Sequence, residues 1–145
     1  MRRGFEKVSG YEYVNFPKRK TKQSAGYDIE SAVNVVINPG ETKLIQTGIK
    51  AYMDENEWLG IYIRSSLAIK YGLVLANSVA VIDSDYYNNP ENEGHIMMAL
   101  RNTSGSPCAI KVGDRIAQGI FNQYYKVDDD SADGDRTGGM GSTGK

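Results

Sequence analysis

The sequence predicts an all-β domain with one short helix and a flexible C-terminal tail. Three observations carry that reading. Short apolar runs recur along the chain, each closed by glycine, proline, asparagine or aspartate. Only the stretch from Ser65 to Tyr71 has the look of a helix. After Val127 the composition turns polar and glycine-rich, with almost no core-forming residues.

The elements follow in order. Val33, Val35 and Ile37 alternate with other residues and end at Asn38-Pro39-Gly40, a turn signal. Lys43 to Met53 resumes an extended pattern that Gly48 interrupts. The polar run Asp54-Glu55-Asn56-Glu57 leads into Trp58-Leu59-Gly60-Ile61-Tyr62-Ile63. Residues 73–75, 79–82, 96–100, 109–112 and 116–125 are further strand candidates. Many short strands separated by turns suit a sandwich, a barrel or a jelly roll. In the helix, Ser65 or Ser66 is the expected cap and Gly72 the expected end. The lack of long amphipathic helices and of strand–helix alternation argues against a Rossmann-type fold. Residues 1–127 therefore form one β domain, and residues 128–145 a mobile tail.

Composition narrows the function. A chain of 145 residues suits one core, and 40% hydrophobic with 24% charged residues is ordinary for a globular protein. Lys and Arg number 17 against 18 Asp and Glu, which argues against DNA or RNA binding, since that needs a basic excess. Cys108 is the single cysteine, so no intramolecular disulfide and no cysteine-based zinc site can form. His95 is the single histidine. Any metal must then be held by oxygen, which points to a hard cation such as magnesium. The N-terminus lacks the apolar run of a signal peptide and no segment reaches membrane-spanning length, so a cytoplasmic protein without a membrane partner is expected.

Several motifs can carry chemistry, and each has a plainer alternative. Gly138-Gly139-Met140-Gly141-Ser142-Thr143-Gly144, preceded by Arg136, offers unobstructed backbone N–H groups, two hydroxyls and a guanidinium to phosphate; it also reads as a flexible end. It lacks the lysine and following helix of a Walker loop. Arg64-Ser65-Ser66-Leu67-Ala68 enters the helix and suits phosphate, or is an ordinary serine cap. The run from Val79 to Tyr87 ends an apolar strand in Asp83, Asp85 and two tyrosines. There Asp83 can take a proton from water, or the stretch is an Asp-rich turn. Gly113-Asp114-Arg115-Ile116-Ala117-Gln118 reads as a turn with an Asp114–Arg115 ion pair, and Gln118 as a polar ligand or an ordinary strand residue. Ala25-Gly26-Tyr27-Asp28 reads as a turn with a buried carboxylate. His95 and Cys108 read as packed structural residues.

Taken in order, these five motifs resemble those of the trimeric dUTPase (deoxyuridine 5′-triphosphate nucleotidohydrolase) family, which includes phage and prophage types. The resemblance runs from Ala25 to Gly144. It implies a jelly roll, a homotrimer with shared active sites, and magnesium-assisted hydrolysis of dUTP to dUMP and pyrophosphate. That reaction keeps uracil out of DNA and supplies dUMP. On the same footing, Asp83 is the carboxylate that activates water, and Tyr86 packs on the deoxyribose. Asn77, Val81, Ile82 and Met97 surround the uracil nucleoside. Arg64, Ser65, Ser66 and Gln118 contact phosphates, and Asp28 meets the metal through water. The tail closes over a neighbouring subunit's site with Arg136, Met140, Gly141, Ser142 and Thr143.

The chain departs from the family pattern in four places. Met140 stands where an aromatic is usual, Arg136 is separated from Gly138 by Thr137 alone, and Ala80 replaces a glycine. Asn88-Asn89-Pro90-Glu91-Asn92-Glu93 looks like an insertion, either a solvated loop or an element that binds a protein partner. Two alternatives remain: a dCTP deaminase relative, for which no suitably placed glutamate is found near Asp83, and a nucleotide-gated regulatory protein acting through that loop.

Overall fold

The computed structural model describes residues 2–140. Among them lie eleven strands, one α-helix and one 3₁₀ turn. In chain order these are β1 (Gly4–Lys7), β2 (Tyr27–Glu30), β3 (Val35–Ile37), β4 (Thr42–Gln46), β5 (Ile49–Tyr52), β6 (Glu57–Ile63), α1 (Ser65–Tyr71), β7 (Leu73–Leu75), β8 (Ala80–Asp83), the 3₁₀ turn (Ser84–Tyr86), β9 (Met97–Asn102), β10 (Cys108–Ile110) and β11 (Arg115–Gln123). β1 carries no apolar alternation of its own, and β2, although Tyr27-Asp28-Ile29-Glu30 alternates, is only four residues long and follows directly on Ala25-Gly26, which reads as a turn, so neither stood out in the sequence.

All pairings are antiparallel. A four-stranded sheet runs β2-β11-β6-β8, a three-stranded sheet β4-β9-β7, and two ribbons pair β1 with β5 and β10 with β3. One apolar core joins all four: Ile29, Leu59 and Ile61 from the larger sheet, Ile45, Leu73, Met98 and Leu100 from the smaller, Ile49 from β5 and Ile37 from β3. Neighbours far apart in sequence but paired in space give the jelly roll that the residue pattern left open. Asn102 is fully buried, and its amide donates to the Ile37 and Ser106 carbonyls, both at 2.8 Å. Such a polar group belongs in a core only because it is satisfied.

Strand alternation positions the functional side chains. In β8, Ala80 and Ile82 are buried while Val81 and Asp83 are exposed. In β9, Met98, Leu100 and Asn102 are buried and Met97 and Ala99 take the other face. This is the two-residue period of an extended chain.

The helix bounds match the sequence, but the expected serine cap is absent. The N-cap is Arg64, with extended backbone and no side-chain capping bond, and Ser65 is already helical. At the other end Gly72 adopts φ 63° and donates back to the last turn, as a left-handed C-cap should. The Asp114–Arg115 ion pair is also absent: Asp114 accepts the Lys111 N–H at 2.9 Å, and Arg115 turns to Asp28 at 3.5 Å.

The loop between the 3₁₀ turn and β9 is anchored from within while Asn88, Pro90 and Glu91 remain exposed. Asn89 is buried and donates to the Tyr86 carbonyl at 2.7 Å, while its own oxygen accepts the Glu91 and Asn92 N–H groups at 3.0 and 3.1 Å. Lys50, itself buried, donates to Asn88 at 2.6 Å and Glu93 at 2.8 Å, tying the loop to β5. His95 closes the loop, its Nε2 accepting the Gly48 N–H at 2.9 Å. Burial pushes the His95 imidazolium below the ordinary 6.5, against the opposing pull of Glu93. A depressed histidine pKa means the unfolded chain binds the proton first, so stability is level above about pH 6.5 and declines as pH falls below it. The unfolding free energy from urea titration should therefore drop between about pH 7 and about pH 5, by at most ~1.4 kcal/mol per pH unit. His95→Gln should flatten that slope; an equally steep slope in the variant would remove His95 as its source.

Candidate active site

The register of β8 against β6 sets the site. Trp58 faces Asp83, Leu59 faces Ile82 and Gly60 faces Val81 across the pair. The strand stops at Asp83 and the chain turns at once into the 3₁₀ turn, which carries Tyr86 back beneath the strand end. The result is a cavity of about 190 Å³. Its walls are Asn77, Ala80, Val81, Ile82, Asp83 and Tyr86 on one side and Met97 and Ala99 on the other, with Arg136, Gly139 and Met140 of the tail. Apolar side chains combined with a carboxylate and one aromatic ring suit a small ligand with a planar ring and a polar end.

Tyr86 is firmly held. Its hydroxyl donates to the His95 carbonyl at 2.6 Å and accepts from the Asn92 amide at 3.0 Å. Burial raises its pKa above 10.0, opposed by the Asn92 hydrogen bond and by the charge of Arg136. The Arg136 guanidinium lies 5.6 Å from the Tyr86 ring centroid. It donates to Asp83 at 2.6 Å and to Asp85 at 2.7 Å, closing the mouth of the cavity. Arg136 is only 8% exposed, but the two carboxylates are 50% and 59% exposed. Solvent therefore screens both pairs, and each contributes about 1 kcal/mol or less. A contact this weak can be exchanged for a ligand.

Expected at a neighbouring subunit's site, the tail lies in this single chain across its own cavity, with Arg136 reaching Asp83 and Asp85 as well as the Gly138 and Gly139 carbonyls at 3.3 and 3.4 Å. The expectations for Gly141, Ser142 and Thr143 lie outside the described residues.

The remaining expected residues gather elsewhere. Asp28 sits between two guanidiniums, Arg64 at 3.6 Å and Arg115 at 3.5 Å. Gln118 faces Asp28 across β11 and β2. A Cβ at Gly26 would collide with the Gln118 amide, which explains a glycine there. Ser65 and Ser66 are exposed beside Arg64. None of Asp28, Arg64, Ser65, Ser66 and Gln118 lines the Asp83 cavity. The chain thus carries two separate clusters, a cavity beside Asp83 and a pair of guanidiniums about Asp28. No cluster of three metal-ligating side chains occurs among the described residues. Sequence reasoning missed Ala99, which the alternation with Met97 would have found, and the tail contacts of Glu91 and Asn92, which have no local signal.

Comparison with known proteins places the chain. A family model described as dUTPase matches residues 12–144. A deoxyuridine 5′-triphosphate nucleotidohydrolase of Lactococcus lactis is 53% identical over 146 positions, covering 98% of this chain and 97% of the relative. The crystal structure of a dUTPase from Streptococcus mutans superposes with a TM-score of 0.83 at 44% identity, covering 86% of this chain and 98% of that one. A mutant dUTPase of phage phi11 of S. aureus, in which a structural Mg(II) ion is coordinated, gives a TM-score of 0.75 at 21% identity, over 92% of this chain and 98% of that one, and supports the fold alone. Fold and site define a jelly-roll protein with a nucleotide-type pocket at a strand end. Within that class the chain belongs to the dUTPase family.

Gly94, where the loop turns back before β9, takes φ 88°, and a Cβ there would meet the backbone of Asn88, Tyr86 and Tyr87 at 2.9 Å. Gly94→Ala should destabilise the fold by about 2 kcal/mol or more. Denaturant unfolding checks this, and an unchanged midpoint would show that the loop tolerates the side chain.

Proposed function

We propose that Asp83 and the tail carry out the dUTP hydrolysis that family membership gives this chain. The observation that carries the reading is the carboxylate at the end of β8, exposed on the cavity wall next to the buried Tyr86 ring. In this reading the uracil lies between residues 79–83 and Met97, with Asn77 beside it and Met140 above. The Tyr86 ring packs against the sugar, which leaves a 2′-hydroxyl no room. Asp83 takes a proton from the attacking water, and the bond between the α and β phosphates breaks to give dUMP and pyrophosphate. Arg136 leaves Asp83 for the triphosphate as the substrate enters, adding charge where it develops. The reaction needs no covalent enzyme intermediate.

Arg64, Ser65, Ser66 and Gln118 are the proposed phosphate contacts. Their distance from the Asp83 cavity supports a homotrimer in which a neighbouring subunit supplies them. Asp28 suits the outer sphere of a magnesium ion: its carboxylate is already flanked by two guanidiniums, which disfavours direct ligation but allows a contact through water. When bound with the triphosphate, magnesium supplies charge neutralisation on the leaving pyrophosphate. No helix among the described residues is long and apolar enough to cross a membrane.

Pyrophosphate release measured across dUTP, dCTP, dTTP and UTP should be confined to dUTP, and ammonia release from dCTP would favour the deaminase alternative. Asp83→Asn should lower turnover by about 10²–10⁴-fold while dUTP still binds; full turnover in that variant would sink the mechanism. Truncation after Val127 should leave a folded protein with little activity. Either unfolding or a full rate in the truncated chain would refute the tail's role.

A further inference from the structure

The loop that looked like an insertion meets the tail at Gly139. The Gly139 N–H donates to Glu91 Oε2 at 2.6 Å. Beneath it lies Asn92, so close that a Cβ on Gly139 would come within 2.5 Å of the Asn92 amide nitrogen. The same Asn92 amide donates to the Tyr86 hydroxyl at 3.0 Å, and its oxygen accepts from Asn89 at 2.8 Å and from the Gly94 N–H at 3.0 Å. The loop is anchored in turn by Lys50 through Asn88 and Glu93.

We propose that Glu91 is a positioning residue for the tail, with Asn92 as the surface on which Gly139 rests. The carboxylate fixes the chain one residue before Met140, which lines the cavity, and three residues after Arg136, which closes its mouth. Both tail side chains are thereby set over the cavity before substrate arrives. The gain comes from preorganisation: the loop holds a glycine-rich segment whose ordering would otherwise fall on the substrate's binding energy. A carboxylate suits the task, because a backbone N–H given to a charged acceptor forms a stronger bond than one given to a neutral oxygen. Asn92 further joins the tail to Tyr86, so the ring against the sugar and the roof over the base rest on one side chain. The proposal rests on dUTP hydrolysis as the activity.

The test uses the full-length chain and Glu91→Ala, a change at an exposed side chain whose backbone N–H keeps its bond to Asn89. Trypsin cleavage after Arg136 reports release of the tail without any substrate, and cleavage after Lys126 is the internal control. In Glu91→Ala, cleavage after Arg136 should rise about tenfold with cleavage after Lys126 unchanged, and kcat/KM for dUTP should fall about tenfold at an unchanged melting temperature. Glu91→Gln, which keeps an acceptor oxygen, should restore most of both. Unchanged cleavage in Glu91→Ala overturns the proposal, and so does faster cleavage with unchanged kcat/KM. Should the wild-type protein fail to hydrolyse dUTP, the functional reading falls and the cleavage arm alone decides whether Glu91 holds the tail.

Discussion

Everything at the site depends on the antiparallel register of β8 on β6. With Leu59 opposite Ile82 and Trp58 opposite Asp83, the two-residue period puts Ile82 in the core and Asp83 outside it. A slip of one residue would bury the carboxylate and expose the isoleucine. That slip is expensive because Leu59 and Ile61 are fully buried and Ile82 nearly so. The core thus fixes the Asp83 carboxylate without touching it. The chain then turns into the 3₁₀ segment before it can extend further, so Tyr86 returns under the strand end instead of continuing along it.

A second constraint is electrostatic. One cluster places a carboxylate, Asp28, between two guanidiniums, and the cavity side places one guanidinium, Arg136, between two carboxylates. The first arrangement carries a surplus of positive charge and the second a surplus of negative charge. The local field is therefore attractive to an anion at the first and repulsive at the second. The exposed carboxylates keep the pairs with Arg136 weak, since water already screens them. The same balance lies hidden in a composition of near-neutral net charge, which speaks only to broad partners and not to local fields.

Much of this was legible in the sequence because it depends on local rules. Nearly every strand with apolar alternation or an apolar run appears close to its expected bounds, as does the helix ended by Gly72. Those signals come from neighbouring residues, and neighbours are what periodicity reads. β1 was invisible because pairing with β5 makes it, and β2 because its four-residue alternation from Tyr27 to Glu30 is too short to stand out beside the Ala25-Gly26 turn signal. The serine cap failed for a related reason: β6 delivers the chain at Arg64 in an extended conformation, so the helix begins one residue before a hydroxyl could cap it. At the site, Asp83, Tyr86, Met97 and Arg136 could be named in advance, but the partition of the site into two separated clusters could not. That partition is a product of topology, which brings β2 beside β11 and β8 beside β6.

The tail shows why glycine there is a matter of contact as well as freedom. A glycine-rich end gains no burial of its own and would remain unordered on composition alone. Gly139 is ordered against the Asn89–Glu91–Asn92 loop because its missing side chain lets the backbone come down onto the Asn92 amide, and its N–H then reaches a carboxylate. Any larger residue would lift the segment and separate that pair, even if its backbone angles were acceptable. The reverse holds for Met140 next to it, where side-chain volume is what lines the cavity. An unbranched thioether with three rotatable bonds can fill an irregular roof where a flat ring would demand one orientation. Adjacent residues therefore face opposite requirements, no bulk at Gly139 and adaptable bulk at Met140, and both follow from the height at which the loop holds the chain above Tyr86.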